Sequence, residues 1–223
     1  MLSQNQERLI RSLHTGSNRQ RLGLCLVEGE KSIREARDYV ELLFNRQDCR
    51  DFDRLVTTET PQNGAAVARI PKWTENDVTR NATIIVLDGV QDPGNVGSIV
   101  RLCRGFGAGL VLIESAEPSS PKVIRSSAGA IFHVPWVRMS KATGTDFLSR
   151  IDRPIFRLEK WSGSVPISAI ADCPEVALIA GSEGKGIKLK VDGQSVAIDH
   201  DPELESLNVS QAAAIALYIR YRK

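Results

Sequence analysis

Residues 82–109 read ATIIVLDGVQDPGNVGSIVRLCRGFGAG and contain the clearest structural pattern in the sequence. Its first part, 83–87, is short, apolar and rich in β-branched residues, which predicts a buried strand of the kind found in parallel sheets. Apolar residues then recur with helical spacing from Val96 to Cys103. Asp92 suits the N-cap of that helix, and Pro93 suits its first position. The stretch therefore predicts a strand, a tight turn and an amphipathic helix.

Two polar side chains of the predicted helix are placed to meet a ligand. At 100° per residue, Arg101 points roughly 150° away from the centre of the apolar stripe, so it is not a core residue. Asn95 lies at the start of the helix, where unpaired backbone N–H groups and the helix dipole favour an anion or a polar ligand. Taken alone, the pattern also fits a capped crossover helix with a surface arginine.

Composition is that of an ordinary globular protein of 223 residues, 42% hydrophobic and 25% charged. The net charge of +2 permits nucleic-acid binding only through local clusters of basic residues. The sequence contains no apolar run long enough to span a membrane and no signal-peptide core, so we expect a cytoplasmic protein. The four cysteines and three histidines lie far apart, and we predict neither a disulfide framework nor a metal site.

Strands and helices alternate along the chain, which predicts an α/β fold with a mostly parallel sheet covered on both faces. In such sheets, ligands bind beyond the carboxyl ends of the strands. Polar segments follow three of the predicted strands, at 88–97, 181–186 and 199–210. Their convergence at one edge of the sheet is the main functional prediction.

The chain divides into a small α/β unit, residues 1–78, and a larger one, residues 79–223. In the first we predict a helix over 3–15, a helix from Glu28 towards Phe44, and strands at 22–27, 55–56 and 65–70. In the second we also predict a strand at 131–134. The first two dozen residues carry a local excess of about three positive charges, which fits either a phosphate-binding surface or a solvated helix face. The basic residues of this segment are Arg8, Arg11, Arg19 and Arg21.

Two glycine-rich segments fail the tests for common nucleotide motifs. In Gly181-Ser-Glu-Gly-Lys-Gly186 no Ser or Thr follows Lys185, so it is not a P-loop. The glycines at 105, 107 and 109 follow a helix and lead into a strand, the reverse of the dinucleotide-binding order. An NAD or nucleotide enzyme is therefore disfavoured. The glycines of 181–186 still allow close approach of a ligand to the backbone, and Glu183 is an acceptor without a local partner.

The last predicted helix covers residues 207–221, and Asn208 at its start has capping-box spacing to Gln211. Residues 212–217 are apolar on every face, which predicts a fully buried helix. Burial does not account for the polar stretch 206–210 at its start.

Three motifs together resemble those of the SpoU-type (TrmH-like) RNA 2′-O-ribose methyltransferases of the SPOUT superfamily, over about residues 82–223. They are Asp88-x-x-x-Asp-Pro-x-Asn-x-Gly-x-x-x-Arg-x-x-x-x-Phe-Gly107, Gly181-x-Glu-Gly-x-Gly186 and Glu205-Ser-Leu-Asn-Val-Ser210. Residues 27–36 resemble the start of the family's N-terminal substrate-binding domain, which has a ribosomal-protein-like RNA-binding fold.

This resemblance implies a C-terminal trefoil knot that binds S-adenosylmethionine, and a homodimer with the RNA site at or near its interface. It implies methylation of a ribose 2′-hydroxyl, and the N-terminal unit favours ribosomal RNA over transfer RNA. A non-catalytic RNA-binding or ribosome-assembly factor that retains the fold is the alternative. The motif residues argue against it, because a lost active site has no reason to keep Asn95, Arg101, Glu183 and Asn208.

The resemblance also assigns the site residues. The catalytic candidates are Asn95, Arg101, Ser206 and Asn208. The cofactor-binding candidates are Gly181, Glu183, Gly184, Ile198, Leu207 and Asn208. The RNA-binding candidates are Arg101 from the motif and, from the basic residues of the first unit, Arg19, Arg21 and Lys31. Because guanidinium stays charged, we assign Arg101 to clamping an RNA phosphate and stabilising the developing alkoxide. The sequence departs from the family's usual Ile-Pro-Met with Ile198-Asp-His-Asp-Pro, at the rim of the implied cofactor pocket.

Overall fold

A computed structural model describes residues 1–201 and 203–222, which form two compact units. The first contains Met1–Lys72 together with Glu117–His133, and the second contains Trp73–Ala116 together with Val134–Lys223. The first unit thus takes in a later segment of the chain, which the division at residues 78 and 79 did not anticipate.

The first unit is built on a three-stranded antiparallel sheet in the order β1-β3-β2. Its strands are β1 (Leu24–Glu28), β2 (Val40–Asn45) and β3 (Gly64–Arg69). Its helices are α1 (Gln4–Ser12), α2 (Gly16–Leu22), α3 (Glu30–Glu35) and α6 (Pro121–Ser126). Short 3₁₀ helices cover Arg37–Tyr39, Arg46–Asp48, Phe52–Arg54 and Ala130–Phe132.

Several predicted boundaries in this unit are wrong. The helix expected from Glu28 towards Phe44 ends at Glu35, and β2 follows it as an edge strand. Buried or half-buried residues alternate with exposed ones along β2, so only one of its faces packs on the core and its apolar signal is weak. The segment expected as a strand at 55–56 is irregular, and the one expected at 131–134 is half 3₁₀ helix and half turn.

The second unit contains a seven-stranded sheet in the order β6-β5-β4-β9-β7-β10-β8, and all its strand pairs are parallel. Its strands are β4 (Thr83–Asp88), β5 (Ala108–Ile113), β6 (Trp136–Met139), β7 (Ile155–Leu158), β8 (Val165–Pro166), β9 (Val176–Gly181) and β10 (Gln194–Ala197). Its helices are α4 (Glu75–Thr79), α5 (Pro93–Phe106), α7 (Lys141–Arg150) and α8 (Val209–Tyr221), with a 3₁₀ helix at Ile167–Ile170. The predicted α/β fold with a parallel sheet is confirmed in this unit.

The stretch 82–109 folds as its sequence predicts. Every residue of β4 is buried, as expected for a central strand of a parallel sheet. Asp92 caps α5 by accepting a 2.7 Å hydrogen bond from the Asn95 N–H, and Pro93 occupies the first helical position. The helix ends at Gly107, whose φ of 64° lies in the left-handed region that glycine favours.

Helix α8 is not buried on every side. Ala213 and Ala216 are fully buried, whereas Ile215 is 36% and Tyr218 is 51% exposed. Its small residues allow close packing against α5, whereas the face that carries Ile215 and Tyr218 stays partly exposed. The prediction of a fully buried helix is therefore wrong. The apolar pattern shows that every face of the helix is apolar, but it does not show which faces pack against the rest of the chain. Among the described residues, no helix is both long and apolar enough for a membrane span.

Candidate active site

Three polar side chains from the three predicted segments meet at the carboxyl edge of the parallel sheet. Asn95 donates from Nδ2 to Oε1 of Glu183 at 2.8 Å. Asn208 donates from Nδ2 to the same Oε1 at 2.8 Å and to Oδ1 of Asn95 at 3.0 Å. These residues are 25 to 113 positions apart in the chain, so the predicted convergence of the segments is confirmed.

Helix capping fixes the orientation of two of these side chains. Asn95 lies in the first turn of α5, next to its cap, Asp92. Asn208 is the N-cap of α8, and its Oδ1 accepts the N–H of Ser210 at 2.9 Å. Because the carbonyl oxygen of Asn208 is used in this way, its amide nitrogen must be the group that donates to Glu183. The cluster is thus held from its helix ends.

The loop that carries Glu183 is held by a buried carboxylate. Asp88, the last residue of β4, is paired in register with Gly181, the last residue of β9. Its Oδ2 accepts the backbone N–H groups of Lys188 and Leu189, at 2.5 and 2.8 Å. A Cβ atom on Gly181 would lie 2.2 Å from the carbonyl carbon of Gly186, so only glycine fits at this position. Loop 181–189 therefore folds tightly against the sheet edge.

A cavity of about 320 Å³ opens beside the cluster and is lined by Glu183 itself. Its size lies at the lower end of the range for small-molecule sites. The predicted cofactor residues that line it are Gly181, Glu183, Gly184, Ile198 and Leu207, and Ser206 lines it as well. Asn208, the remaining cofactor-binding candidate, does not line the cavity but hydrogen-bonds Glu183, which does. The geometry thus brings the cofactor-binding candidates together.

His200 lies at the point where the sequence departs from the family pattern, and it also lines the cavity. Its Nδ1 lies 2.7 Å from the carbonyl oxygen of Ile198, which can only accept, so Nδ1 carries the proton. Its Nε2 is buried and makes no hydrogen bond within the described residues. Pro202, which ends this stretch, lies outside the described residues.

Glu159 is a cavity-lining residue that the sequence analysis did not identify. It follows β7, and its Oε1 accepts hydrogen bonds from Nε of Arg157 at 2.8 Å and from Oγ of Ser195 at 2.6 Å. Partial burial raises the pKa of this carboxyl, but the hydrogen bonds from Arg157 and Ser195 outweigh burial and hold the pKa below its ordinary value. The carboxylate is therefore ionised at neutral pH. No local sequence motif identifies Glu159, because its position beside the cavity depends on the order of the strands in the sheet.

Arg101 is exposed on α5, as its position on the helix predicts. It lies six residues, or about 9 Å, along the helix from Asn95. No hydrogen bond links Arg101 to the cluster in the part of the chain that the structure describes. The structure therefore joins Asn95, Glu183 and Asn208, and leaves Arg101 as a separate exposed cation.

Of the predicted RNA contacts in the first unit, Arg19 requires a correction. Its side chain is only 6% exposed and pairs with Glu117, with Nε donating to Oε1 at 3.2 Å and Nη2 to Oε2 at 2.5 Å. Nη1 donates to the carbonyl oxygens of Leu13 and His14. Because four of its five N–H groups are used internally, Arg19 stabilises the fold and is unsuited to bind RNA. Arg21 and Lys31 are exposed.

Among the described residues, no group of three or more His, Cys, Asp or Glu side chains is arranged to hold a metal ion. The cysteines at 25 and 103 are buried, and burial raises the pKa of each thiol to about 12. Neither lines the cavity.

Comparisons with known proteins agree with the motifs. The family described as the SpoU rRNA Methylase family matches residues 82–218. The 23S rRNA (guanosine(2553)-2′-O)-methyltransferase RlmP of Bacillus subtilis is 29% identical to the chain, and the match covers 93% of the chain and 92% of that protein.

Solved structures share the fold over the whole chain. The AdoMet-bound rRNA methyltransferase of Sinorhizobium meliloti superposes with a TM-score of 0.86 at 22% identity, covering 100% of this chain and 96% of that one. A putative RNA methyltransferase of the TrmH family from Porphyromonas gingivalis gives a TM-score of 0.81 at 29% identity, with 100% and 99% covered. With its three motifs joined in space and its family match over residues 82–218, the chain belongs to the SpoU rRNA methylase family.

Proposed function

We propose that this protein uses S-adenosylmethionine to methylate a ribose 2′-hydroxyl in ribosomal RNA. The observation that carries the proposal is the hydrogen-bonded cluster of Asn95, Glu183 and Asn208, which adjoins a cavity lined by the predicted cofactor residues. RlmP, which matches over nearly the full length of both chains, is named as a methyltransferase of this kind.

The residues of the cavity fit S-adenosylmethionine. Its walls combine apolar side chains and glycines with a minority of polar and charged side chains, a mixture that suits a polar small molecule. Gly181, Gly184, Ile198 and Leu207 would hold the cofactor through their backbones, with Glu183 and Asn208 shaping the pocket. When bound, the cofactor supplies a methyl group on a positively charged sulfur.

The catalytic residues act on the ribose of the RNA. One N–H of the Asn95 side chain is used by Glu183, which leaves its second N–H to bind an oxygen of the substrate. Asn208 holds Asn95, and Ser206 lies exposed in the adjoining loop. Precise orientation of a reacting hydroxyl accounts for much of the rate enhancement in such reactions, because well-oriented groups reach very large effective molarities.

Arg101 would bind the phosphate next to the reacting ribose and stabilise the alkoxide. Its exposure on α5 leaves it accessible to RNA. If only the positive charge of Arg101 matters, Arg101→Lys should keep partial methyl-transfer activity. A complete loss of this activity with intact cofactor binding would show that the guanidinium itself is needed. Arg104→Lys, an exposed arginine on the same helix, is the matched control.

The first unit would bind RNA beyond the methylated nucleotide. Lys31 lines a cavity of about 530 Å³ within this unit, together with Arg34 and Gln62. Lys31 and Arg34 are exposed cations within residues 27–36, which resemble the start of the substrate-binding domain, and Arg21 is a further exposed cation of the unit. These positions suit contacts with RNA phosphates.

The assembly would be a homodimer formed through α8, with the trefoil knot of the SPOUT superfamily in each chain. The exposed face of α8 carries Ile215, Tyr218 and Tyr221, and Phe106 of α5 packs edge-on against Tyr221. Such an apolar patch suits a contact between two copies. Action on ribosomal RNA would place the protein in the cytoplasm.

The test uses purified protein, methyl-labelled S-adenosylmethionine and ribosomal RNA that lacks the modification. We expect label in one 2′-O-methylated nucleoside after complete nuclease digestion. We expect no label when the RNA carries a 2′-deoxyribose at the position that is otherwise methylated. RNA binding without any methyl transfer would overturn the proposal and favour the non-catalytic assembly factor.

A further inference from the structure

Glu159 occupies a central place at the edge of the sheet where the cofactor residues meet. It directly follows β7, and β7 lies between β9 and β10. β9 ends at Gly181, and Ile198 directly follows β10. Glu159 therefore lies between two residues assigned to hold the cofactor, and it lines the same cavity.

The side chain and backbone of Glu159 are both held in place. Oε1 is fixed by Arg157 and Ser195, as described above. Arg157 is itself anchored, because its Nη1 donates to the carbonyl oxygens of Leu189 and Val191, each at 3.1 Å. The backbone N–H of Glu159 donates to the carbonyl of Val196 at 3.2 Å. The carboxylate is thus prearranged before any ligand binds.

The second carboxylate oxygen, Oε2, makes no hydrogen bond to any residue that the structure describes. The side chain is 29% exposed, so this oxygen is open to a ligand. Pairing with Arg157 explains the position of Oε1, but it gives no role to the remaining acceptor sites of Oε2. Those sites are available to a donor that enters the cavity.

The charge balance indicates which donor fits. The positive charge of Arg157 lies directly against Glu159, so the pair as a whole is close to neutral. What remains is capacity to accept hydrogen bonds from neutral groups, and a ribose offers two adjacent hydroxyls. We propose that Glu159 binds the ribose hydroxyls of the cofactor's adenosine moiety. This assignment rests on the proposed function, since it takes S-adenosylmethionine as the ligand of the cavity.

The test is calorimetric titration of the full chain and of Glu159→Gln with three probes: S-adenosylhomocysteine, 5′-methylthioadenosine, and the 2′,3′-dideoxy form of the latter. The glutamine oxygen can still accept from Arg157 and Ser195, which places an NH₂ group where Oε2 was. We expect the substitution to weaken the first two probes by the same factor, about 10-fold or more, and to change binding of the dideoxy probe less than 2-fold.

Glu175→Gln is the matched control, because Glu175 also pairs with an arginine, Arg153, in the same unit but does not line the cavity. It should leave all three affinities unchanged. Thermal unfolding of both variants checks that they fold.

Three results would overturn the assignment. Unchanged affinity of Glu159→Gln for S-adenosylhomocysteine would remove Glu159 from the site. A loss confined to S-adenosylhomocysteine would assign Glu159 to the amino-acid end of the cofactor. A wild-type chain that binds neither of the first two probes would refute the proposed function itself, and this assignment with it.

Discussion

The two units of the chain use their interacting polar side chains in opposite ways. In the first unit, Arg19 pairs with Glu117, and Arg125 pairs with Glu28, which is 3% exposed, so the charges are used up in holding the fold. In the second unit, Asn95, Glu183 and Asn208 also bind one another, but they do so at the wall of a cavity and keep free hydrogen-bonding capacity. The comparison shows that a polar residue indicates a ligand site only when its partners within the protein leave some of its hydrogen-bonding groups free.

The largest effect should come from breaking the internal pair of the first unit. Arg19→Ala leaves Glu117 largely buried without its cationic partner, which should lower the free energy of unfolding by about 3–5 kcal/mol. Arg21→Ala, a change to an exposed neighbour, should lower it by less than about 0.5 kcal/mol. Urea denaturation measures both. An Arg19→Ala protein of unchanged stability but reduced RNA affinity would show that Arg19 is an RNA contact after all.

The next effect concerns the cluster of the second unit. Asn208→Asp keeps an oxygen for the Ser210 N–H, so the helix cap survives, but it loses the donor to Asn95 and Glu183 and places a second carboxylate beside Glu183. Methyl transfer should fall about 30- to 100-fold, which corresponds to about 2–3 kcal/mol. Gln211→Glu adds the same charge at an exposed position of α8 and should leave the rate unchanged. Equal rates for the two variants would refute the role of the cluster.

The two units should respond alike to alkaline pH, because each buries a cysteine whose pKa is raised to about 12. The unfolded thiol ionises near pH 9, whereas the folded thiol stays protonated, so stability is retained below pH 9 and lost as the pH rises towards 12. Between pH 8 and pH 10 each thiol should account for a loss of about 1 kcal/mol.

Urea denaturation at both pH values tests this in Cys25→Ala and Cys103→Ala. Each variant should lose about 1 kcal/mol less than the wild type over this interval, which also separates the thiols from other groups that titrate there. A variant with the wild-type loss would show that its thiol ionises while the chain is folded.

The smallest effect is expected at the rim of the cavity. His200→Met, which restores the residue usual in the family, removes both the hydrogen bond to Ile198 and the unpaired Nε2. These contributions have opposite signs and similar size, so the free energy of unfolding should change by less than about 1 kcal/mol. A loss of 3 kcal/mol or more in thermal or urea unfolding would mean that Nε2 has a partner.

Local patterns predicted much of the larger unit. The strand and helix of 82–109, the cap at Asp92 and the outward position of Arg101 depend on neighbours in the sequence, so periodicity and capping rules were sufficient. The meeting of Asn95, Glu183 and Asn208 followed from a general property of parallel sheets, that ligands bind at the carboxyl ends of the strands.

What was missed depends on contacts between distant parts of the chain. Arg19 looked like a free cation because its partner, Glu117, is 98 residues away. Glu159 has no motif, and it gains its position only because β7 lies between β9 and β10. The strand β2 carries a weak pattern because only one of its faces packs on the core.

The most direct test of the central claim is calorimetric titration of the wild-type chain with S-adenosylmethionine. If the cavity beside Asn95, Glu183 and Asn208 is the cofactor site, the chain should bind one molecule per chain with a Kd between about 1 μM and 1 mM, the range of ordinary enzyme substrates. S-adenosylhomocysteine should compete for the same site. No binding at millimolar S-adenosylmethionine by a folded chain would contradict the account.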